Sequence, residues 1–160
     1  MREDLLSIIE KNSRIGLKDL AVMLGVTEVE AANELASLEN EGIICGFNTL
    51  IDWDKTSIEK VTALIEVRVT PQRGQGFDNI AERIYNYPEV KTVYLISGGF
   101  DLLVILEEKS SKEIANFVSD KLSTLDNVLS TATHFILKKY KDNGIIFSKK
   151  HDDEREIITP

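Results

Sequence analysis

Asn33 and Ser37 lie in the segment Glu30-Ala-Ala-Asn-Glu-Leu-Ala-Ser-Leu38, whose apolar residues Ala31, Leu35 and Leu38 recur at helical spacing. An amide and a hydroxyl on a helix are groups that read base edges, Asn by a bidentate pair of bonds to adenine and Ser less selectively. Thr27 opens the same helix, and Lys18, with Lys11 and Arg14 on the preceding elements, has the charge for phosphate contacts. This nucleic-acid chemistry is set against acid: between Thr27 and Gly42 there are five acids and no base, and over residues 1–44 four bases face nine acids. Glu28 and Glu30 have local work, since first-turn acids complement the helix dipole and Glu30 completes a capping box with Thr27, each worth about 0.3–1 kcal/mol. Glu34 is expected on the outward side, where a carboxylate about 4 Å from a phosphate is repelled by roughly 1 kcal/mol even in water. The whole chain carries a net charge of −8, the wrong sign for strong non-specific binding, so DNA contact would depend on a local basic patch.

The elements that must position these residues follow from periodicity. Leu5, Leu6, Ile8 and Ile9 form the stripe of a first helix ending near Asn12 and Ser13, and Leu17, Leu20, Ala21 and Leu24 form that of a second, closed by Gly25. The third helix runs from the Thr27 cap to Gly42, and Ile43-Ile44 begins a strand. Residues 1–50 therefore read as a winged helix-turn-helix. Residues 51–60 read as a connector, with Trp53 packed where domains or subunits meet. Residues 61–69 alternate as a strand, the breakers of residues 71–76 mark a loop, and Phe77, Ile80, Ala81 and Ile84 line a helix stopped by Pro88. Strands at 90–96 and 100–106 flank a turn at Gly98-Gly99; a helix over 110–125 and a strand over 128–137 complete the order β-α-β-β-α-β, a ferredoxin-like domain spanning 61–140. The fold class is thus α+β. The sheet face without helices keeps apolar residues, which predicts a symmetric homodimer covering it.

Other chemistry is thin. A single cysteine, Cys45, excludes an internal disulfide framework, and with only His134 and His151 beside it a zinc site is not expected. His134 is a strand residue with no nucleophile, carboxylate pair or metal spacing around it, so no enzyme and no cofactor are expected. Lys138, Lys139, Lys141, Lys149 and Lys150, followed by Asp152-Asp-Glu154, read as a solvated extension over 141–160, in which Ile145-Ile-Phe147 docks on its own domain or on a neighbouring subunit. No apolar run suits a membrane span and no signal-peptide pattern is present, so a cytoplasmic protein is expected.

Leu20-Ala21 with Leu24-Gly25, the run Leu38-Glu39-Asn40-Glu41-Gly42-Ile43-Ile44, the turn Gly98-Gly99-Phe100-Asp101 and Thr131-Ala-Thr133 occur here in an order that resembles the Lrp/AsnC, or feast/famine, family over nearly the whole chain. The resemblance implies a transcription regulator with an effector-binding (RAM-type) ferredoxin-like domain, dimerising through its sheets and assembling into tetramers, octamers or larger rings, and responsive to an amino acid bound between dimers. It places the effector near the turn between the second and third strands, here Ser97, Gly98, Gly99 and Asp101. Glycines there let backbone N–H groups approach a carboxylate, and Asp101 offers acceptors to an α-ammonium. The same residues also read as a tight hairpin with glycine for positive φ and Asp as a turn former.

In the family the recognition helix is rich in Arg and Lys, whereas here the outward positions are Ala32, Asn33, Glu34, Ala36 and Ser37. Two readings stay open: a regulator contacting double-stranded DNA through Thr27, Asn33, Ser37 and Lys18, or a sensor that has lost operator binding and acts through protein partners or mixed oligomers.

Overall fold

The computed structural model describes residues 1–70, 74 and 76–147, which divide into two units, the first Met1–Ile51 and the second from Asp52 onward. In the first, α1 (Arg2–Lys11), α2 (Leu17–Leu24) and α3 (Glu28–Asn40) follow the sequence periodicity. Gly25 ends α2 at φ +67°, in the left-handed region where a side chain is disfavoured. Leu5, Ile9, Leu20 and Leu38 form the core of this unit, with Leu6, Ile8, Ile15, Leu24, Leu35 and Ile44 packed around it.

The expected strand at Ile43-Ile44, and the wing it would begin, do not form. Gly42 turns the chain at φ +71°, and the N–H groups of Ile43 and Ile44 both donate to Leu38 O, at 3.0 and 3.1 Å. These donors close the end of α3 and are lost to any ladder, while Ile44 folds back onto the helical core. The unit is a three-helix helix-turn-helix.

The second unit is built on β1 (Val61–Val69), whose alternation sends Ala63, Ile65, Val67 and Val69 into the core. After it come α4 (Asp78–Tyr85), β2 (Val90–Leu95), β3 (Leu102–Glu108), α5 (Ser111–Phe117) and β4 (Val128–Phe135). The four strands form one antiparallel sheet in the order β2-β3-β1-β4. The helices bring Ile80, Ile84, Ile114 and Phe117 against Leu102, Val104 and Leu106 on the buried face. This is the expected β-α-β-β-α-β arrangement.

Differences are local. The strand expected from Phe100 begins at Leu102, because Asp101 is drawn to β1. The helix expected to reach Leu125 leaves α geometry after Phe117 and widens into a π turn over Val118–Leu122, closed by Ser123 N–H to Val118 O at 2.8 Å. The segment read as a solvated tail contains a short hairpin, β5 (Lys141–Asp142) and β6 (Ile145–Ile146), around Asn143 (φ +44°) and Gly144 (φ +81°). Asn-Gly with positive φ at both positions is the usual two-residue hairpin turn. Lys55 Nζ donates to Phe147 O at 3.3 Å, so the hairpin docks on its own unit. Lys149, Lys150, His151 and the acids after them, like most of the 71–76 loop, lie outside the described residues. Trp53 falls in a 3₁₀ turn, Trp53–Lys55, with the Lys60 ammonium 4.0 Å from its ring centroid. Among the described residues no helix is long and apolar enough to cross a membrane.

The tryptophan and every tyrosine lie in the second unit, which makes the two cores separable by spectroscopy. Leu38→Ala, at a fully buried position, is expected to cost the helical unit about 2–5 kcal/mol. In a urea titration helical circular dichroism should be lost earlier than in the parent, while the Trp53 emission transition stays in place.

Candidate functional site

α3 presents three faces. Ala31, Leu35 and Leu38 point into the core. Val29, Asn33, Ala36 and Asn40, spaced by four, three and four residues, form an outward stripe that is exposed and carries no charge. The third face holds Glu34, Ser37 and Glu41, and it is not free. Arg2 of α1 donates from Nε to Glu34 Oε1 at 2.6 Å and from Nη2 and Nη1 to the two oxygens of Glu41 at 2.6 and 3.0 Å. Ser37 Oγ donates to Glu41 Oε1 at 2.7 Å and accepts from Arg2 at 3.3 Å.

This corrects the placement of Glu34 at the outward surface: its side chain is 19% exposed and faces α1. Ser37 sits in the same cluster, its hydroxyl already donating and accepting. Thr27 is committed as well, since its Oγ1 accepts from Glu30 N–H at 3.2 Å and donates to Glu30 Oε2, while its own N–H reaches the same carboxylate at 2.8 Å. These bonds make the capping box and hold the Glu30 carboxyl below its ordinary value, the Thr27 backbone bond first among the causes. The one proton of each hydroxyl is committed, which leaves each an acceptor toward a base. Of the four residues expected to meet DNA, Thr27, Asn33 and Lys18 are exposed and Ser37 is half-buried; among the described residues Asn33 and Lys18 make no ion pair or side-chain hydrogen bond.

Arg2 was legible only as a charge. Its position held a signal nonetheless, because a cation in the first turn of a helix opposes the dipole and points to acids elsewhere. Glu41 and Glu34 are those acids. Their hydrogen bonds drive the guanidinium further toward its charged form, and Arg2 with Ser37 brings the Glu41 carboxyl down to about 2.

The loop of residues 97–101 joins β2 to β3 and is wider than a tight hairpin, closed by Ile96 N–H to Asp101 O at 2.8 Å. Asp101 is anchored: its N–H donates to Val67 O at 3.1 Å, and its Oδ2 accepts from Val69 N–H at 2.9 Å. One carboxylate oxygen is therefore spent on β1, so Asp101 sets the loop against the sheet. Gly98 and Gly99 do not take positive φ, and a Cβ on Gly99 would meet nothing within 4 Å. The chain itself does not require glycine there. Among the described residues the N–H groups of Ser97, Gly98, Gly99 and Phe100 find no acceptor.

The sheet face opposite the helices displays Leu64, Leu103, Ile105 and Tyr94, the last 56% exposed. A groove of about 680 Å³ runs between this face, at Tyr94, Ile105 and Glu107, and the chain at Lys138 and Tyr140. His134 lies on the same face with Nε2 3.2 Å from Glu66 Oε1.

A helix-turn-helix joined to a ferredoxin-like unit with an exposed glycine loop defines a class, the one-chain transcriptional regulator with its own ligand domain. The model of the Lrp/AsnC ligand binding domain matches residues 62–146. An uncharacterised HTH-type transcriptional regulator of Bacillus subtilis, YugG, is 49% identical over 158 residues, 98% of this chain and 95% of the relative. The proline dehydrogenase transcriptional activator of Rhodobacter capsulatus is 27% identical over 79% of this chain and 82% of its own length. Among solved structures, a transcriptional regulator of Neisseria meningitidis in complex with L-Met shares the fold at a TM-score of 0.70 and 20% identity, covering 88% of this chain and 90% of that one. AsnC of E. coli does so at 0.65 and 18%, covering 86% and 91%. The chain belongs to the Lrp/AsnC family of transcriptional regulators, a family of regulators and not of enzymes.

Since the folded-state value of Glu41 lies below the ordinary 4.5, its contribution to stability is complete above that value and is lost as pH falls toward about 2. The helical unit should therefore melt at a constant temperature from neutral pH to about 5 and progressively lower below it. Glu41→Gln should flatten part of that acid slope, measured by circular dichroism at matched ionic strength.

Proposed function

We propose that the chain regulates transcription in the cytoplasm by binding double-stranded DNA through the outward stripe of α3, with an amino acid bound at the 97–101 loop as effector. The observation that carries the DNA reading is the disposition of charge on α3: Glu30 is held in the cap, Glu34 and Glu41 face Arg2, and Glu28 and Glu39, though exposed, lie to the side of an uncharged outward stripe with Asn33 at its centre. Asn33 suits adenine, and Val29 and Ala36 suit thymine methyl groups. Lys18, with Lys11 and Arg14, supplies phosphate contacts.

For the effector, the loop has unpaired backbone donors and a glycine that neither its own backbone nor its own packing requires, which fits the close approach of an α-carboxylate. With Asp101 Oδ2 bonded to β1, the loop's part is to hold the carboxylate through Ser97, Gly98 and Gly99, Asp101 keeping its second oxygen for the ammonium. The relative solved with L-Met makes an amino acid the natural ligand class. The apolar sheet face is covered by a second copy, and dimers assemble further around the loops, giving tetramers, octamers or larger rings. A second reading, a sensor without operator binding, is favoured by one observation: the outward stripe of α3 contains no cation.

DNA from upstream of the chain's own gene should bind in preference to random duplex, more weakly as salt rises, and with an affinity that shifts when a pool of amino acids is added. Folded, oligomeric protein with no preference at any salt would favour the second reading. Gly99→Val should leave the melting temperature within about 3 °C of the parent, as expected for a surface change away from packing, and abolish the thermal shift caused by the amino-acid pool.

A further inference from the structure

The cluster of Arg2, Glu34, Ser37 and Glu41 has no counterpart in the DNA contacts proposed above, yet it is the densest polar network of the helical unit. Its members come from α1 and from the face of α3 about a quarter of a turn from the outward stripe. All three guanidinium nitrogens are used, Nε on Glu34, Nη1 on Glu41, and Nη2 on Glu41 and Ser37. Arg2 nonetheless keeps 42% of its side chain exposed, with Glu41 at 45%. The cluster therefore borders the surface that would meet DNA and is not buried away from it.

We infer that Arg2 is a positioning residue for DNA binding, a cation withheld from phosphate by Glu34 and Glu41 that lets an acidic helix enter the major groove. This rests on the reading that α3 faces DNA. With Arg2 in place the cluster carries one net negative charge; without it, two carboxylates stand beside the groove with no counter-ion. The bidentate geometry at Glu41 also fixes α1 against the end of α3, so the same residue sets the position of the helix that carries Asn33. The arrangement lowers affinity for any duplex and leaves preference to the uncharged stripe. Freed from its acids, Arg2 would become an ordinary phosphate contact.

The test compares the full chain with Arg2→Gln, the double variant Glu34→Gln/Glu41→Gln and the triple variant combining all three, on random duplex DNA and on DNA from upstream of the gene. Titrations run at about 50 and 200 mM salt, with helical circular dichroism to confirm that each variant is folded. The double variant should bind random duplex about tenfold more tightly at low salt, with a salt slope steeper by up to about one. Preference for the upstream DNA should fall. The triple variant should return the slope to that of the parent, which assigns the gain to Arg2 and not to the loss of acid. Arg2→Gln alone should weaken binding to both DNAs about tenfold.

A double variant that gains nothing on random duplex would overturn the inference, and so would a triple variant with the same slope as the double. These outcomes use random duplex and so do not depend on an operator. If the parent shows no DNA preference while the double variant gains and the triple loses that gain, the operator reading fails and the role of Arg2 stands. In the double variant, a change in melting temperature without a change in salt slope would make the cluster structural only and would also overturn it.

Discussion

The second unit depends on the alternation of β1. This strand pairs with β3 on one side and β4 on the other, and its residues 63, 65 and 67 are fully buried under the helices. A slip of one residue would turn Ala63, Ile65 and Val67 outward and bring Thr62, Leu64 and Glu66 in, stranding a carboxylate in the core. Because the edge strands β2 and β4 are paired only to β3 and β1, that alternation also places the 97–101 loop. Asp101 makes the link explicit, holding Val67 O and Val69 N–H from across the ladder. The 97–101 loop is thus positioned by the central strand through a carboxylate that at first sight belongs to a ligand.

The helical unit reduces the conflict between a helix-turn-helix shape and an acidic composition by sorting three of the five acids on α3, Glu28 and Glu39 staying exposed to the side of the outward stripe. Glu30 works within its own helix end, and Glu34 and Glu41 work against α1. What reaches the outward stripe is uncharged. Net charge over a domain describes its field at long range, and the pairing of individual groups describes contact.

Much of this was legible in the sequence wherever the governing chemistry is local. The Thr27–Glu30 capping box, the αL glycine at 25 and the alternation of residues 61–69 depend on neighbours within a turn or on a two-residue period. The side of α3 to which Glu34 belongs was not legible, because its partner Arg2 is 32 residues away. The false strand at Ile43-Ile44 came from two β-branched residues whose N–H groups are spent on Leu38. Asn143-Gly144 carried a plain hairpin signal, overlooked because it sits in a lysine-rich segment that read as a tail. For the loop, its place between the second and third strands was legible in the sequence, but the anchoring of Asp101 and the absence of any backbone demand for Gly99 needed coordinates.

The π turn over Val118–Leu122 holds one residue more than a regular helical path would need. Upstream of it Ile114 and Phe117 face the sheet, and downstream Leu122 and Leu125 do so; the extra residue keeps both halves in phase. In an unbroken α-helix of the same length Leu122 would stand about 100° further round and off the sheet, whereas removing a single residue here would let the turn close as regular α-helix with Leu122 still facing inward. A one-residue alignment gap placed within the turn therefore means a straightened helix over an unchanged core, and not a shorter loop.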